Sequence, residues 1–144
     1  MDADDISPEQ LALNVALSEA VRDGQNAKAA ELLKSGANPE WQTDDIFGFT
    51  ALVRATRNNR LSLMRLLLTH GARLKGRCKS RWTALHWAAE SGNLDAFRLL
   101  VEEYQADVQN RSGDGMTPLQ TAQRSGPRAA AVVEYLKSKE ARGS

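Results

Sequence analysis

TALHWAAESG, Thr83 to Gly92, is the stretch that decides how this chain is read, because the chain spells a version of it four times. VALSEAVRDG starts at Val15, TALVRATRNN at Thr50 and TPLQTAQRSG at Thr117. Successive starts lie 35, 33 and 34 residues apart. In each copy a Leu stands two places after the first residue (Leu17, Leu52, Leu85, Leu119), and an Ala stands five places after it (Ala20, Ala55, Ala88, Ala122). The ninth place holds Gly24, Asn59, Gly92 or Gly126. A period of this size marks a stacked solenoid, in which no unit is large enough to hide its apolar side alone.

The residues between these marks give each unit its shape. After Thr50, Ala51 and Ala55 supply the small side chains needed where two helices approach closely. From Leu61 a second helix follows, with Leu61, Met64, Leu67 and Leu68 spaced to share one face. Leu94, Phe97, Leu100 and Val101 repeat that spacing. Gly36 and Gly71 come just after the leucine runs, where a helix ends in a left-handed residue.

The pattern resembles the ankyrin repeat, whose signature is T-P-L-H-x-A. Thr83 to Ala88 (TALHWA) matches five of its six positions, and so does Thr117 to Ala122 (TPLQTA). The copy at Thr50 is weaker, and the copy at Val15 keeps only the Leu and the Ala. The second halves AAELLKSGAN, MRLLLTHGAR and FRLLVEEYQAD also agree, so the resemblance runs from about Ser7 to Leu136. It implies an all-α solenoid of stacked helix-turn-helix units joined by short β-hairpin-like loops. Repeats of about 7–44, 45–77, 78–111 and 112–137 are expected, after a flexible acidic segment 1–6 and before a frayed tail 138–144. It also gives His86 a structural role, hydrogen-bonding the neighbouring loop.

The remaining composition narrows the function. The 144 residues fit one domain, and 19 basic against 18 acidic residues leave a net charge of +1. Nothing there attracts nucleic acid or a membrane surface as a whole. Apolar runs such as Leu66-Leu67-Leu68 are far too short to span a bilayer, and MDADDISPEQ does not read as a signal peptide. The single Cys78 excludes an internal disulfide, so cytoplasm or nucleus is the expected location. Ser7-Pro8-Glu9-Gln10 reads as a helix start, with Ser7 as N-cap and Gln10 closing a capping box. The first and last units, atypical in sequence, read as caps of the stack.

Catalytic chemistry is missing from the pattern. The two histidines are His86 and His70, the latter at a helix end that favours a cation. No metal-ligand spacing, phosphate-cradling glycine loop or nucleophile elbow appears. SGDGM, Ser112 to Met116, reads as a hairpin turn. The expectation is a non-enzyme without cofactor or metal.

Members of the ankyrin family bind partners through loop tips, or fingers, and through the inner helices. Carried over by position, the second repeat offers Asp44, Ile46, Phe47 and Phe49, with Arg57 and Asn58 on its helix. The third offers Arg77, Lys79, Ser80 and Trp82, with Glu90 and Ser91. The fourth offers Arg111, Gly113, Asp114 and Met116, with Arg124 and Ser125; Arg22 and Asp23 match in the first. Phe47, Phe49, Trp82 and Met116 stand out, because aromatic and Met side chains are enriched at interfaces. The alternative for Phe49 and Trp82 is that they fold back over the base of the next finger. Trp87 is expected to pack in the core.

Arg73, Lys75, Arg77, Lys79 and Arg81 place a cation at every second residue, on one side of the chain if it is extended. Such a stripe attracts an acidic or phosphorylated segment, unless Asp44, Asp45 and Asp114 neutralise it internally. Two departures from the family stand in the third repeat: Arg81 replaces the glycine found at Gly48 and Gly115, and Tyr104-Gln105 is one residue longer than His70-Gly71. The functional expectation is a monomeric adaptor or scaffold that binds another protein. The alternative is a stoichiometric enzyme inhibitor of the kinase-inhibitor type.

Overall fold

The computed structural model describes residues 6–43, 48–76 and 81–143, with side chains through 139. Each unit begins with an extended residue that caps a short inner helix. Thr50 accepts the Val53 N–H at 3.3 Å and starts α3 (Ala51–Arg57). Thr117 starts α7 (Pro118–Ser125) with a full capping box, its Oγ1 accepting from Gln120 N–H at 3.2 Å while Gln120 Oε1 accepts from Thr117 N–H at 2.9 Å. Thr83 starts α5 (Ala84–Ser91), using His86 in place of the usual Glu or Gln. In the first unit, Ser7 caps α1 (Pro8–Asp23) as expected. Gln10 does not close a box there. Its Nε2 donates instead to Asn14 Oδ1 (2.9 Å) and to the Gly36 carbonyl (3.0 Å), a helix-end acceptor that needs a donor.

The outer layer consists of α2 (Asn26–Lys34), α4 (Leu61–Thr69), α6 (Leu94–Arg98) and α8 (Ala130–Gly143). α8 follows a 3-10 turn, Gly126–Ala129, and runs on through the segment expected to fray. Inner helices stack in the order α1, α3, α5, α7, while α2 packs on α4 and α6 on α8. The repeated alanines sit at the closest approach: Ala20, Ala55, Ala88 and Ala122 are at most 1% exposed. Leu17, Leu52 and Leu85 are buried beside them, each contributing about 1.5–3 kcal/mol. In the outer layer Leu63, Met64, Leu67, Phe97 and Leu100 are fully enclosed, while Leu61 and Leu68 lie at the margin. Among the described residues there is no strand, and no helix is long and apolar enough to cross a membrane.

Left-handed residues end the helices where the repeat calls for them. Gly24 (φ 73°), Asn59 (φ 55°) and Gly92 (φ 71°) close the inner helices. At Gly92 a side chain is excluded twice over, because a Cβ would lie 2.0 Å from the Arg128 carbonyl oxygen. Arg81 takes φ 65°, between Gly48 (59°) and Gly115 (85°). It therefore bears the strain of the glycine conformation without changing it. Its carbonyl accepts the Gly113 N–H at 3.2 Å, and its aliphatic stem lies where a Gly113 side chain would go.

The extra residue of the third repeat is absorbed by a π-helical turn, Leu99–Glu103, that continues α6. Ala37 and Ala72 donate to the carbonyls of Leu32 and Leu67, whereas the matching Ala106 reaches back one residue further, to Leu100 at 2.9 Å. Gln105 (φ 55°) then stands in for Gly36 (103°) and Gly71 (95°). The widened turn aims adjacent carboxylates at both neighbours. Glu103 takes two hydrogen bonds from Arg65 of α4 (3.1 and 3.0 Å). Glu102 accepts from Arg98 and from the Tyr135 hydroxyl of α8, each at 2.8 Å.

Gln105→Gly is expected to stabilise the protein by about 0.5–1 kcal/mol, the relief of left-handed strain less the greater freedom of an unfolded glycine. Gly71→Ala has open space for its methyl group, and should destabilise by about 1–2 kcal/mol through φ alone; urea unfolding checks both. Burial first, then the Glu102 carboxylate, pushes the Tyr135 phenol up to about 12. The folded value lies above the unfolded one (about 10), so this contribution is complete below about pH 10 and is lost as pH rises toward about 12. Ultraviolet titration of native protein should show a late-ionising tyrosine, and Glu102→Gln should bring it earlier.

Candidate protein-binding face

The third inner helix is tied to the fourth finger by one imidazole. His86 is fully buried. Its Nε2 lies 2.8 Å from the Met116 carbonyl, which can only accept, so Nε2 carries the proton. Nδ1 then accepts from Thr83, whose Oγ1 is 2.8 Å away. This bond fixes Met116 at the base of a finger closed by Ser112 N–H to Met116 O (2.9 Å), with Gly115 N–H to Ser112 O completing the tight turn. The structural role expected for His86 is the one the geometry gives it.

Phe49, Trp82 and Met116 occupy the same place, immediately before the capping Thr of α3, α5 and α7. Phe49 is 6% exposed, so it folds back and supports the face from beneath. Trp87 meets it edge-on, with centroids 5.3 Å apart, and Trp82 lies 4.8 Å from Trp87 on the other side. Both tryptophans are half-buried, so Trp87 belongs partly to the surface and only partly to the core. Helical side chains lean toward the N-terminus, and Arg57 accordingly reaches back along α3. Its guanidinium sits 4.6 Å from the Phe49 centroid and 5.0 Å from that of Trp87. Arg124 repeats the gesture on α7, placing a guanidinium nitrogen 3.5 Å from Met116 Sδ.

Glu90, at the matching position of α5, is engaged by Arg128 from the next unit through both its carboxylate and its carbonyl. Asn93 caps the end of α3, its Nδ2 donating to the carbonyls of Thr56 (3.0 Å) and Arg57 (3.1 Å). Sequence reading did not find these two supports, because the partners are more than 30 residues apart and neither pairing recurs between the other units.

Asp44, Phe47, Arg77 and Lys79 lie outside the described residues, as do Asp45, Ile46, Cys78 and Ser80. The described part of the basic stripe does not form one extended face. Arg73 to Gly76 is a tight turn, closed by Gly76 N–H to Arg73 O at 3.2 Å. The Arg73 N–H is taken by the Glu40 carboxylate, and Arg81 lies over Gly113. Alternation fails at Arg73 and Lys75 because a turn does not keep the two-residue period of a strand.

A family model described as ankyrin repeats, in three copies, matches residues 17–112. The chain belongs to the ankyrin-repeat family. It is 33% identical to the B-cell lymphoma 3 protein homolog of Mus musculus over 129 residues, 90% of this chain and 27% of that protein. It is 30% identical to the Notch-regulated ankyrin repeat-containing protein of Xenopus laevis over 95 residues, 65% of this chain and 83% of that one. Inversin of Gallus gallus is 31% identical over 119 residues, 81% of this chain and 11% of its own length. The chain thus spans only about a quarter of the first of these relatives. Ankyrin repeats are protein-interaction modules, generally non-catalytic, and this stack presents such a module's inner face.

His86→Leu keeps apolar volume but removes one of the two donors to the Met116 carbonyl and the buried partner of the Thr83 hydroxyl. It should lower stability by about 2–3 kcal/mol, read as a fall in the urea midpoint with little change in slope.

Proposed function

We propose that this ankyrin stack is a non-catalytic adaptor or scaffold that holds a partner protein on its fingers and inner-helix face. The central repeats carry most of the contact. The residues assigned to that contact by their repeat positions are Asp44, Phe47, Phe49, Arg57, Arg77, Lys79, Trp82, Glu90, Met116 and Arg124, with Phe49 supporting from beneath.

One observation carries the reading. Two tryptophans stand half-buried together, Trp87 on α5 and Trp82 just before its cap, with Arg57 laid over Trp87. Tyr, Trp and Arg are the residues that dominate binding energy when a partner covers them. The geometry also argues against catalysis at His86, since both of its ring nitrogens are already engaged. Cytoplasm or nucleus remains the location that fits a chain with one cysteine.

Affinity capture from a native extract, with wild type beside a Phe47→Ala plus Trp82→Ala variant, tests the proposal. The expected result is at least tenfold less capture of the main partner by the variant, and unchanged activity of that partner on binding if it is an enzyme. Equal capture would remove these anchors. A captured enzyme whose activity falls on binding would replace the scaffold with a stoichiometric inhibitor.

A further inference from the structure

The cation at the centre of the face is held by aromatic rings, sharing Phe49 with Arg54, whose guanidinium lies 6.0 Å from the ring centroid. Arg65 and Arg98 each grip a glutamate, Arg22 grips Asp23, and Arg128 grips Glu90. Arg57 is instead stacked on Phe49 and Trp87. Among the described residues no carboxylate forms an ion pair with it or with Arg124, the cation at the same position two units on. The one acid at that register, Glu90, is already answered by Arg128.

Stacking changes what a guanidinium can do. The rings hold its plane, so the rotamer freedom normally lost on binding is already reduced. Phe49 and Trp87 stand nearly perpendicular (87°), so at most one of them lies flat against the guanidinium. The exposed side chain keeps N–H donors that can meet a carboxylate. The main chain beneath is fixed as well, because Asn93 holds the Arg57 carbonyl. Beside this fork lies the half-buried Trp82–Trp87 surface, 4.8 Å between centroids, which suits an apolar side chain.

From this arrangement we infer that the partner is recognised through an acidic segment, in which an Asp or Glu carboxylate docks on the Arg57 fork and a neighbouring apolar side chain covers Trp82 and Trp87. The inference rests on the proposal that this face binds protein, and it supplies the chemistry of what is bound. Charge complementarity fixes the sign. Arg57 and Arg124 are exposed, and the acid at their register, Glu90, is paired with Arg128, so a basic segment would meet like charge along these helices. Arg54, the other guanidinium over Phe49, is half-buried and already engaged. The exposed Arg57 fork is therefore what a carboxylate meets, whereas a doubly charged phosphate would call for further donors converging on the same point.

Panning a random peptide library displayed on phage against the whole chain tests this, with Arg57→Gln as counter-target and circular dichroism to confirm that the variant keeps its helices. Wild-type-selective peptides should be enriched in Asp or Glu next to a Leu, Ile, Val or Phe. Synthetic peptides of that consensus should bind wild type about tenfold more tightly than Arg57→Gln, and lose a similar factor when their acid becomes an amide or when salt is raised. Arg57→Lys, which keeps the charge and loses the fork, should also weaken binding. Selected peptides that lack acids but depend on Trp82 would keep the binding face and overturn the acidic assignment. So would a phosphoserine analogue binding tenfold better than the carboxylate. Peptides indifferent to both Arg57 and Trp82, or no selected peptides at all, would overturn the binding face and the inference together.

Discussion

Contact between neighbouring helix pairs is the constraint from which the rest of this structure follows. A pair such as α3 and α4 has a seven-residue and a nine-residue helix, too short to be stable alone in water. Its apolar side disappears only when the next pair covers it. The alanines at Ala55 and Ala88, both at 0% exposure, let the inner helices come close enough for that. A larger residue there would separate two units along their whole length. Stability is therefore held at the interfaces between repeats, and the fixed period of the sequence is the spacing those interfaces require.

Departures from the repeat are tolerated where they cost backbone strain and leave the interfaces alone. Arg81 adopts a glycine's φ, and the finger keeps its shape because the Arg81 carbonyl still receives the Gly113 N–H. The inserted residue near Tyr104 widens one helical turn, yet Phe97 and Leu100 remain wholly buried. The widened turn also acquires bonds that the regular units lack, through Glu103 to α4 and Glu102 to α8. Hydrogen bonds from those arginines hold both carboxyls below their usual range. The irregular repeat is thus bound to both neighbours by charged side chains as well as by its core.

What could be read in the sequence follows the same division. Helix pairs and the core leucines and alanines were legible because each recurs at a fixed offset. The role of His86 was legible because the resemblance to ankyrin repeats implied it; capping by Thr50, Thr83 and Thr117 was not read. Local chemistry decides the recurring features, and four copies vote. Three kinds of feature were not legible. The Gln10 side chain went to a carbonyl 26 residues away instead of its own N-cap. The stripe from Arg73 to Arg81 carries a strand's alternation, but a turn at Gly76 breaks it. Arg57 was identifiable as a surface position, while its place over Phe49 and Trp87 depends on a neighbouring helix whose approach no single repeat reveals.

That stacked arginine also resolves a tension in the face itself. Exposed aromatic clusters promote self-association, and a surface that must bind yet remain dispersed cannot leave its rings bare. Burying most of Phe49 and covering part of Trp87 with a guanidinium lowers the apolar area in contact with water. The covering group is itself strongly hydrated at its edge, so the unbound face stays soluble. In the proposed recognition of an acidic segment, the edge would exchange water for a carboxylate, and the encounter would be selective for charge before apolar contact begins. A leucine at position 57 would shield the same rings and provide no such discrimination. The choice of arginine therefore connects the packing of the inner helices to the kind of surface they can recognise.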